Sequence, residues 1–288
     1  VSPVTAIVVA HDSAHALPAC LDALKREGVP AIVVDNASED GSADLAEARG
    51  ARVIRNARNE GYGRANNIGV AAAESPLVLI LNPDLALDSG AAAALLAASE
   101  RYPDAGILAP RIVEPDGRVF FQPQSTLSPY LANPAGKPCR PEGDCCAPFL
   151  SGACLMVRRE LFLALGGFDP NIFLFYEDDD LCRRAADAGH ALVHVHGATA
   201  RHLRGGSSAP KAGRVFRARW HQAWSRAYVA GKYGLPNPAP RMLAINALRA
   251  LAARFTFNGA LIERYAGSAA GALAFLRGET ALRRENLA

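Results

Sequence analysis

The chain is poor in cysteine, poor in aromatic residues and nearly neutral. Six cysteines in 288 residues are too few for a disulfide-stapled domain. Cys139, Cys145, Cys146 and Cys154 lack paired Cys-x-x-Cys spacing, so the usual frame of a zinc site is missing. Lys and Arg number 31 against 28 Asp and Glu, a balance that excludes a general nucleic-acid binder. No run reaches the roughly 18 uncharged apolar residues of a membrane span. The first residues enter a strand-like run without a secretory pattern. The expectation is a cytoplasmic protein, free or peripheral to the inner face of the membrane.

What is present is core-forming material. Half the residues are hydrophobic and a fifth are charged, enough for one large domain or two small ones. The charge is unevenly spread. From Arg201 onward there are 15 Lys and Arg against three acids, Glu263, Glu279 and Glu285. A mildly acidic front and a basic tail suggest two tasks.

Val4–Ala10 is a continuous apolar, β-branched run, as in a strand buried on both faces. Short strands are predicted at 31–34, 52–55 and 77–81, with helices over 13–27, 42–49, 63–73 and 89–100 between and after them. That alternation predicts an α/β fold with a mostly parallel sheet flanked by helices. Polar clusters close three of the strands: His11-Asp12, Asp35-Asn36 and Asn82-Pro83-Asp84. Open α/β sheets bind ligands at that edge. A hairpin is predicted around Pro115-Asp116-Gly117, then a long loop over 125–148. A strand at 155–157, helices at 159–165 and 177–188, and a strand at 191–196 follow. Three helices are expected beyond Ser208, over 215–231, 241–257 and 260–277.

Several side chains have the right chemistry for a site. Asp84 follows a buried strand and is held by Pro83, a placement that suits a hard cation. Glu177-Asp178-Asp179-Asp180 repel one another at a helix start, and Phe175-Tyr176 precede them. Apolar surroundings would raise a carboxyl pKa toward general-base range. His202 precedes Gly205-Gly206-Ser207-Ser208 and is a candidate partner for Asp84 on a cation. Gly61 and Gly63, at the start of a helix, allow close approach of a phosphate or sugar. Their spacing fits neither the dinucleotide fingerprint nor the P-loop, and Ser151-Gly152 lacks a nucleophile-elbow context.

In order along the chain, these pieces resemble family 2 glycosyltransferases. Val33-Val34-Asp35-Asn36-Ala37-Ser38 with Asp40-Gly41-Ser42 is similar to the family's nucleotide-binding strand end. Asn59-x-Gly61-Tyr62-Gly63 with Ala65-Asn66-Asn67 continues it, and Asn82-Pro83-Asp84 resembles the Asp-x-Asp element. Gly152-Ala153-x-Leu155, Gly166-Gly167-Phe168-Asp169 and Tyr176-Glu177-Asp178-x-Asp180 resemble the acceptor and catalytic-base region. His202 with Gly205-Gly206-Ser207 resembles the closing motif. The similarity runs from about Val4 to Ser208 and is nearest to the rhamnosyltransferase-like branch.

The resemblance implies a GT-A fold with a catalytic domain over 1–208, divided into a donor-nucleotide half (1–105) and an acceptor half (106–208). A helical basic extension covers 209–288. It implies inverting transfer of a sugar, rhamnose first, from a UDP- or dTDP-linked donor. The acceptor would be a hydroxyl of a saccharide or lipid-linked molecule in cell-surface polysaccharide synthesis. His11 and Asp35 would border base and ribose, with Asp35 accepting from the pyrimidine ring N–H. Asn59, Gly61, Asn66 and Asn82 would line the donor pocket. Asp84 and His202 would hold Mg²⁺ or Mn²⁺, Asp178 would be the general base, and Glu177 would shape the acceptor site. Asn82 departs from the family by replacing the first acid of Asp-x-Asp with a weaker neutral ligand.

Two rivals stand beside this reading. A nucleotidyltransferase would want a basic Gly-rich loop after the first strand, where His11-Asp12-Ser13 stands instead. A non-catalytic nucleotide-sugar- or carbohydrate-binding protein of the same fold would not need Asp84, Asp178 and His202. The basic tail carries a Trp220, Trp224, Tyr228 stripe and, beyond residue 241, arginines beside apolar residues. Such helices suit a membrane surface, a homodimer contact or packing on the protein itself.

Overall fold

The computed structural model describes residues 2–122, 125–127, 141–202, 206–208, 211–285 and 287. Gly205, Cys139 and most of the expected 125–148 loop lie outside them. Apolar runs between polar breaks become β1 (Val4–Ala10), β2 (Ala31–Asp35), β3 (Arg52–Arg55) and β4 (Leu77–Leu81). Between them lie α1 (Leu17–Arg26), α2 (Ser42–Ala48) and α3 (Tyr62–Ala72). There follow β5 (Leu85–Leu87), α4 (Ala91–Arg101), β6 (Ala105–Val113), β7 (Val119–Phe120), β8 (Cys145–Cys146) and β9 (Cys154–Arg158). Then come α5 (Arg159–Ala164), α6 (Glu177–Asp187) and β10 (Ala191–His202).

One sheet carries all of these strands, in the order β3-β2-β1-β4-β9-β6-β10-β5, with β7 beside β6 and β8 beside β10. The strands from β3 to β4 are parallel. Beyond β4 the sheet is mixed: β9 runs antiparallel to both β4 and β6, while β10 is parallel to β6. Side chains alternate between two apolar layers, as a strand's two-residue period requires. Val8, Leu79 and Met156 join Leu17 and Leu95 on one face. Ile7, Ile80 and Leu155 join Phe162 and Phe168 on the other.

Besides β8, inside the expected 125–148 loop, and a short helix at 281–284, two elements differ from the sequence expectation in a way that bears on the strand ends. The strand after α6 does not stop at His196 but runs on to His202. Its pairing with β6 shifts register between Val195 and Thr199, a bulge that carries the strand past Gly197. The second element is β5, absent from the expectation. Its three residues pair antiparallel with this extension, Leu85 opposite His202. The expected hairpin is present as β6–β7, closed by the Gly117 N–H to Glu114 O bond.

The chain divides into two compact units. One is 1–168 with 178–209; the other is 169–177 with 210–288. In the second unit, α7 (Arg214–Lys232), α8 (Ala239–Ala253), a 3-10 turn (Arg254–Thr256), α9 (Gly259–Leu276) and α10 (Ala281–Arg284) follow one another. Helices α7 and α9 touch backbone to backbone. A Cβ on Gly267 or Gly271 would lie 2.4 Å from Phe216 O or 2.2 Å from Trp220 O. Trp220 and Trp224 are buried with Phe173 and Leu287, and the Trp224 and Tyr228 rings stack with centroids 5.1 Å apart. The aromatic stripe is therefore core, because large rings gain most by leaving water. No helix among the described residues is long and apolar enough to cross a membrane.

Candidate active site

The polar ends of β1, β2 and β4 lie along one sheet edge, since these strands are parallel and in register. Two of the turns there hold non-glycine residues in the left-handed region, Asp12 (φ 51°) and Ala37 (φ 60°). Such strain persists where surrounding bonds enforce it. Asp12 is one of those anchors: its N–H donates to Ser38 Oγ (3.0 Å), and its Oδ1 accepts from Glu39 N–H (2.9 Å).

Asp35 is 5 % exposed. Its Oδ2 accepts from Ser38 N–H (3.3 Å), while its Oδ1 is buried without a hydrogen-bond partner. A buried carboxylate oxygen left unpaired is costly. His11 Nδ1 lies 3.0 Å from Asn36 O. Asn36, which sequence reasoning did not single out as a site residue, organises the neighbouring loop. Its Nδ2 donates to Asn59 Oδ1 (2.8 Å) and Gly61 O (3.3 Å), and its Oδ1 accepts from Asn56 Nδ2 and Glu60 N–H (both 3.0 Å). Asn59 Oδ1 also accepts from Gly61 N–H (2.9 Å). Asn59 thus shapes the loop with this oxygen. Gly61 takes φ 84°, ψ 168° before α3, a conformation open essentially to glycine alone. Asn66 is fully buried on α3, where its Nδ2 donates to Tyr62 O (3.0 Å) and its Oδ1 has no hydrogen-bond partner.

Asp84 and His202 are brought together by the β5–β10 pairing. His202 Nε2 is 3.5 Å from Asp84 Oδ1. Ser207 Oγ donates to Asp84 Oδ1 (2.6 Å), and Gly206 N–H donates to Oδ2 (3.1 Å). Burial pushes the Asp84 carboxyl pKa up, but the bonds from His202 and Ser207 outweigh it and hold it below the usual range. The segment is tied back to the β1 turn by the bond from Ser13 Oγ to Ser207 O. One carboxylate and one imidazole make a sparse set: no group of three His, Cys, Asp or Glu among the described residues is arranged for a metal. The set fits a divalent cation that takes most of its ligands from phosphate and water. Asn82 continues the same turn, its N–H donating to Ala153 O (2.9 Å).

Asp178 stands at the start of α6. Phe175 (φ 68°) and Tyr176 (φ 70°) precede it, consecutive aromatic residues in the left-handed region. Asp178 Oδ2 accepts from Gly152 N–H (2.8 Å), and Oδ1 accepts from Asp179 N–H (3.0 Å). A Cβ on Gly152 would lie 3.2 Å from Asp178 Oδ2 and 3.1 Å from its Cβ, so glycine there lets the carboxylate approach. Burial raises the Asp178 pKa against these two bonds. Asp179 is pushed up to about 7, by burial first and then by the Asp178 charge; Ser125 Oγ donates to it (2.6 Å). Asp180 does other work. Fully buried, it pairs with Arg184 (2.8 Å), whose other nitrogens donate to Leu165 O and Gly167 O (both 2.7 Å). Asn67 grips the Phe168 backbone on both sides of its Cα, Oδ1 accepting from N–H (2.8 Å) and Nδ2 donating to O (2.9 Å). Glu177 is buried.

The two carboxylates are joined through one strand pair. Leu81 lies opposite Cys154 in the β4–β9 register. Asn82 bonds Ala153, and Gly152, one residue earlier, bonds Asp178. A carboxylate of lowered pKa, Asp84, and one of raised pKa, Asp178, thus hang from adjacent strand ends.

The sequence model of the family described as "Glycosyl transferase family 2" matches residues 5–166. The chain belongs to that family. An N-acetylglucosaminyl-diphospho-decaprenol L-rhamnosyltransferase of Mycobacterium tuberculosis is 32% identical over 238 residues, 69% of this chain and 78% of that protein. This family 2 member is therefore rhamnosyltransferase-like. Two solved structures share its fold. A mannosyltransferase from Pyrobaculum calidifontis, in complex with GDP-Man and Mn²⁺, superposes with a TM-score of 0.58 at 17% identity, covering 95% of this chain and 87% of that one. S. aureus TarS 1-349, in complex with UDP, gives 0.56 at 13%, covering 96% and 92%. The architecture is the GT-A fold with C-terminal helices. The family match ends before Asp178 and His202, so their assignment rests on geometry and on the motif resemblance.

Proposed function

We propose that this family 2 glycosyltransferase moves a sugar, with inversion, from a UDP- or dTDP-linked donor to a hydroxyl of a lipid-linked saccharide. The observation that carries it is the pairing of Asp84–His202 with Asp178 across the β4–β9 strand ends. Asp178, with its raised pKa, takes the proton of the attacking hydroxyl. Gly152 N–H holds the carboxylate for that transfer, and Glu177 beside it in sequence belongs to the acceptor's surroundings. Asp84 and His202 would hold Mg²⁺ or Mn²⁺, which when bound would offset the charge of the departing diphosphate. Asp35 Oδ1, buried and unpaired, accepts from the pyrimidine ring N–H. His11 flanks it, and the Asn59–Gly61 loop leaves room for the donor. The mycobacterial relative's acceptor, named as an N-acetylglucosaminyl-diphospho-decaprenol, makes a lipid-linked saccharide the first choice of acceptor and dTDP-rhamnose the first donor.

The test is donor turnover. With Mg²⁺ or Mn²⁺ present, the protein should release nucleoside diphosphate from dTDP- or UDP-sugars, faster when a polyprenyl-diphospho-saccharide is added. The product anomer should be inverted by NMR. Thymidine and uridine diphosphates should compete better than adenosine diphosphate. No release from any donor with either metal overturns the proposal, and equal competition by all three nucleotides removes the Asp35 assignment.

A further inference from the structure

The second unit carries an apolar surface that its own core leaves uncovered. Met242 and Leu243 of α8 turn inward beside Ala227, Ala272 and Phe275. The opposite side of the helix holds Leu248, 70% exposed, with Ile245 and Leu251 also exposed. The stripe continues into the turn after the helix, where Phe255 is 81% exposed and Phe257 95%. Phe257 takes φ 52°, so the backbone accepts a strained conformation at a residue whose ring lies in water. Five large apolar side chains in one continuous strip form the sort of patch that soluble surfaces seldom leave unused.

The charge around the strip decides its partner. Arg241, Arg249 and Arg254 lie on the same segment and are exposed. Residues 202–262 contain no Asp or Glu at all. A second copy docking face to face would bring two sets of these three arginines into one self-complementary contact. The first acid that follows is Glu263 on α9, one against three arginines in each copy. An anionic lipid surface answers all three, and its acyl region takes the phenylalanines and leucines. We infer that α8 and the turn through Phe257 form an interfacial helix that docks on anionic membrane, apolar strip inward and arginines at the headgroup level. This surface is separate from the residues assigned to transfer. It would concentrate the protein where a lipid-linked acceptor resides.

The experiment is co-sedimentation of the full chain with acceptor-free vesicles, so its outcome does not depend on the transfer reading. Phosphatidylcholine vesicles are compared with vesicles containing 30% phosphatidylglycerol. Most of the protein should pellet with the anionic vesicles at low salt and stay in the supernatant with neutral ones. Adding 0.5 M NaCl should weaken the binding, as screening requires. Phe255→Ser with Phe257→Ser should lower vesicle affinity about tenfold or more. Arg241→Gln, Arg249→Gln and Arg254→Gln should each cost roughly fivefold. These side chains are exposed, so the melting temperature should hold, and nucleoside diphosphate release from a soluble donor should match the parent. Full-length protein left in the supernatant at low salt overturns the inference. So does vesicle binding unchanged by the double phenylalanine variant. A dimer in light scattering that the same double variant dissociates would assign the strip to a second copy and overturn it as well.

Discussion

The carboxyl pKa values of Asp84 and Asp178 are shifted in opposite directions although the same strand pair supports both. Burial pushes each carboxyl toward its neutral form. At the end of β4 the answer is an imidazole, a hydroxyl and an amide N–H, and Asp84 stays ionised. At the start of α6 the answer is two amide N–H groups with another carboxyl alongside, and Asp178 is raised. Burial sets the cost for both, and the neighbours decide whether it is met. A carboxylate kept charged can hold a cation and a diphosphate; one kept near its proton can exchange that proton. Two aspartates on one scaffold are thereby suited to two different roles.

The comparison breaks most sharply at Asp178. Asp178→Asn should lower transfer about a thousandfold, since a positioned base contributes roughly 10²–10⁴. Donor affinity, measured by calorimetry with nucleoside diphosphate and metal, should stay near the parent value. Turnover within a few-fold of the parent would remove Asp178 from the proton step.

Asp84→Asn attacks the other half. It keeps the shape and one of the two acceptor oxygens, so it can accept from Ser207 or from Gly206, and it drops the charge. Metal-dependent donor binding should fall about a hundredfold, while binding with chelator present should barely change. If chelator alters neither binding nor turnover in the parent protein, the cation role fails.

The positions of these two residues were legible in unequal measure. Asp84 follows a buried apolar strand, so its place at the sheet edge could be read locally. Its meeting with His202 could not. His194, His196 and Gly197 interrupt the strand pattern, and only the bulge and the pairing with β5 extend β10 to His202. Likewise α6 announces itself by its charge pattern, but the acids there look alike in sequence. Arg184 separates Asp180 from the others by pairing with it, and the Gly152 N–H does the same for Asp178. The first three parallel pairings follow from short-range strand–helix alternation. The mixed half depends on β9 inserting between β4 and β6, contacts far apart along the chain. The loop role of Asn36 was hidden for the same reason: its partners at 56–61 are distant in sequence.

Gly152→Ala sharpens the comparison without altering any charge. The new Cβ would press on Asp178 at 3.1–3.2 Å and displace it by a few tenths of an ångström. Turnover should drop about tenfold through misplacement of the base. The Asp84 side should be untouched, so metal-dependent donor binding should match the parent. A drop in donor binding equal to the drop in turnover would mean that the two strand ends do not act separately.

The smallest effect is expected at Asp179, and it concerns pH. Its carboxyl titrates at about 7 in the fold, well above its ordinary 3.8, because it is buried beside Asp178. The native state therefore holds this proton more tightly than the unfolded chain does. That contribution to stability is complete below the unfolded pKa and is lost as pH rises through about 7. Asp179→Asn removes the titration, and its side-chain oxygen can still accept from Ser125. The melting temperature of the parent should decline between pH 5 and pH 8 relative to the variant, by several degrees in thermal scans. Catalysis obeys the reverse sign: Asp178 must be ionised to accept a proton, so turnover falls as pH drops through its raised pKa. In the variant that acid limb should remain, because burial of Asp178 is its main cause. A variant whose melting temperature tracks the parent across this range would show that Asp179 is ionised throughout and that Asp178 alone carries the shifted proton.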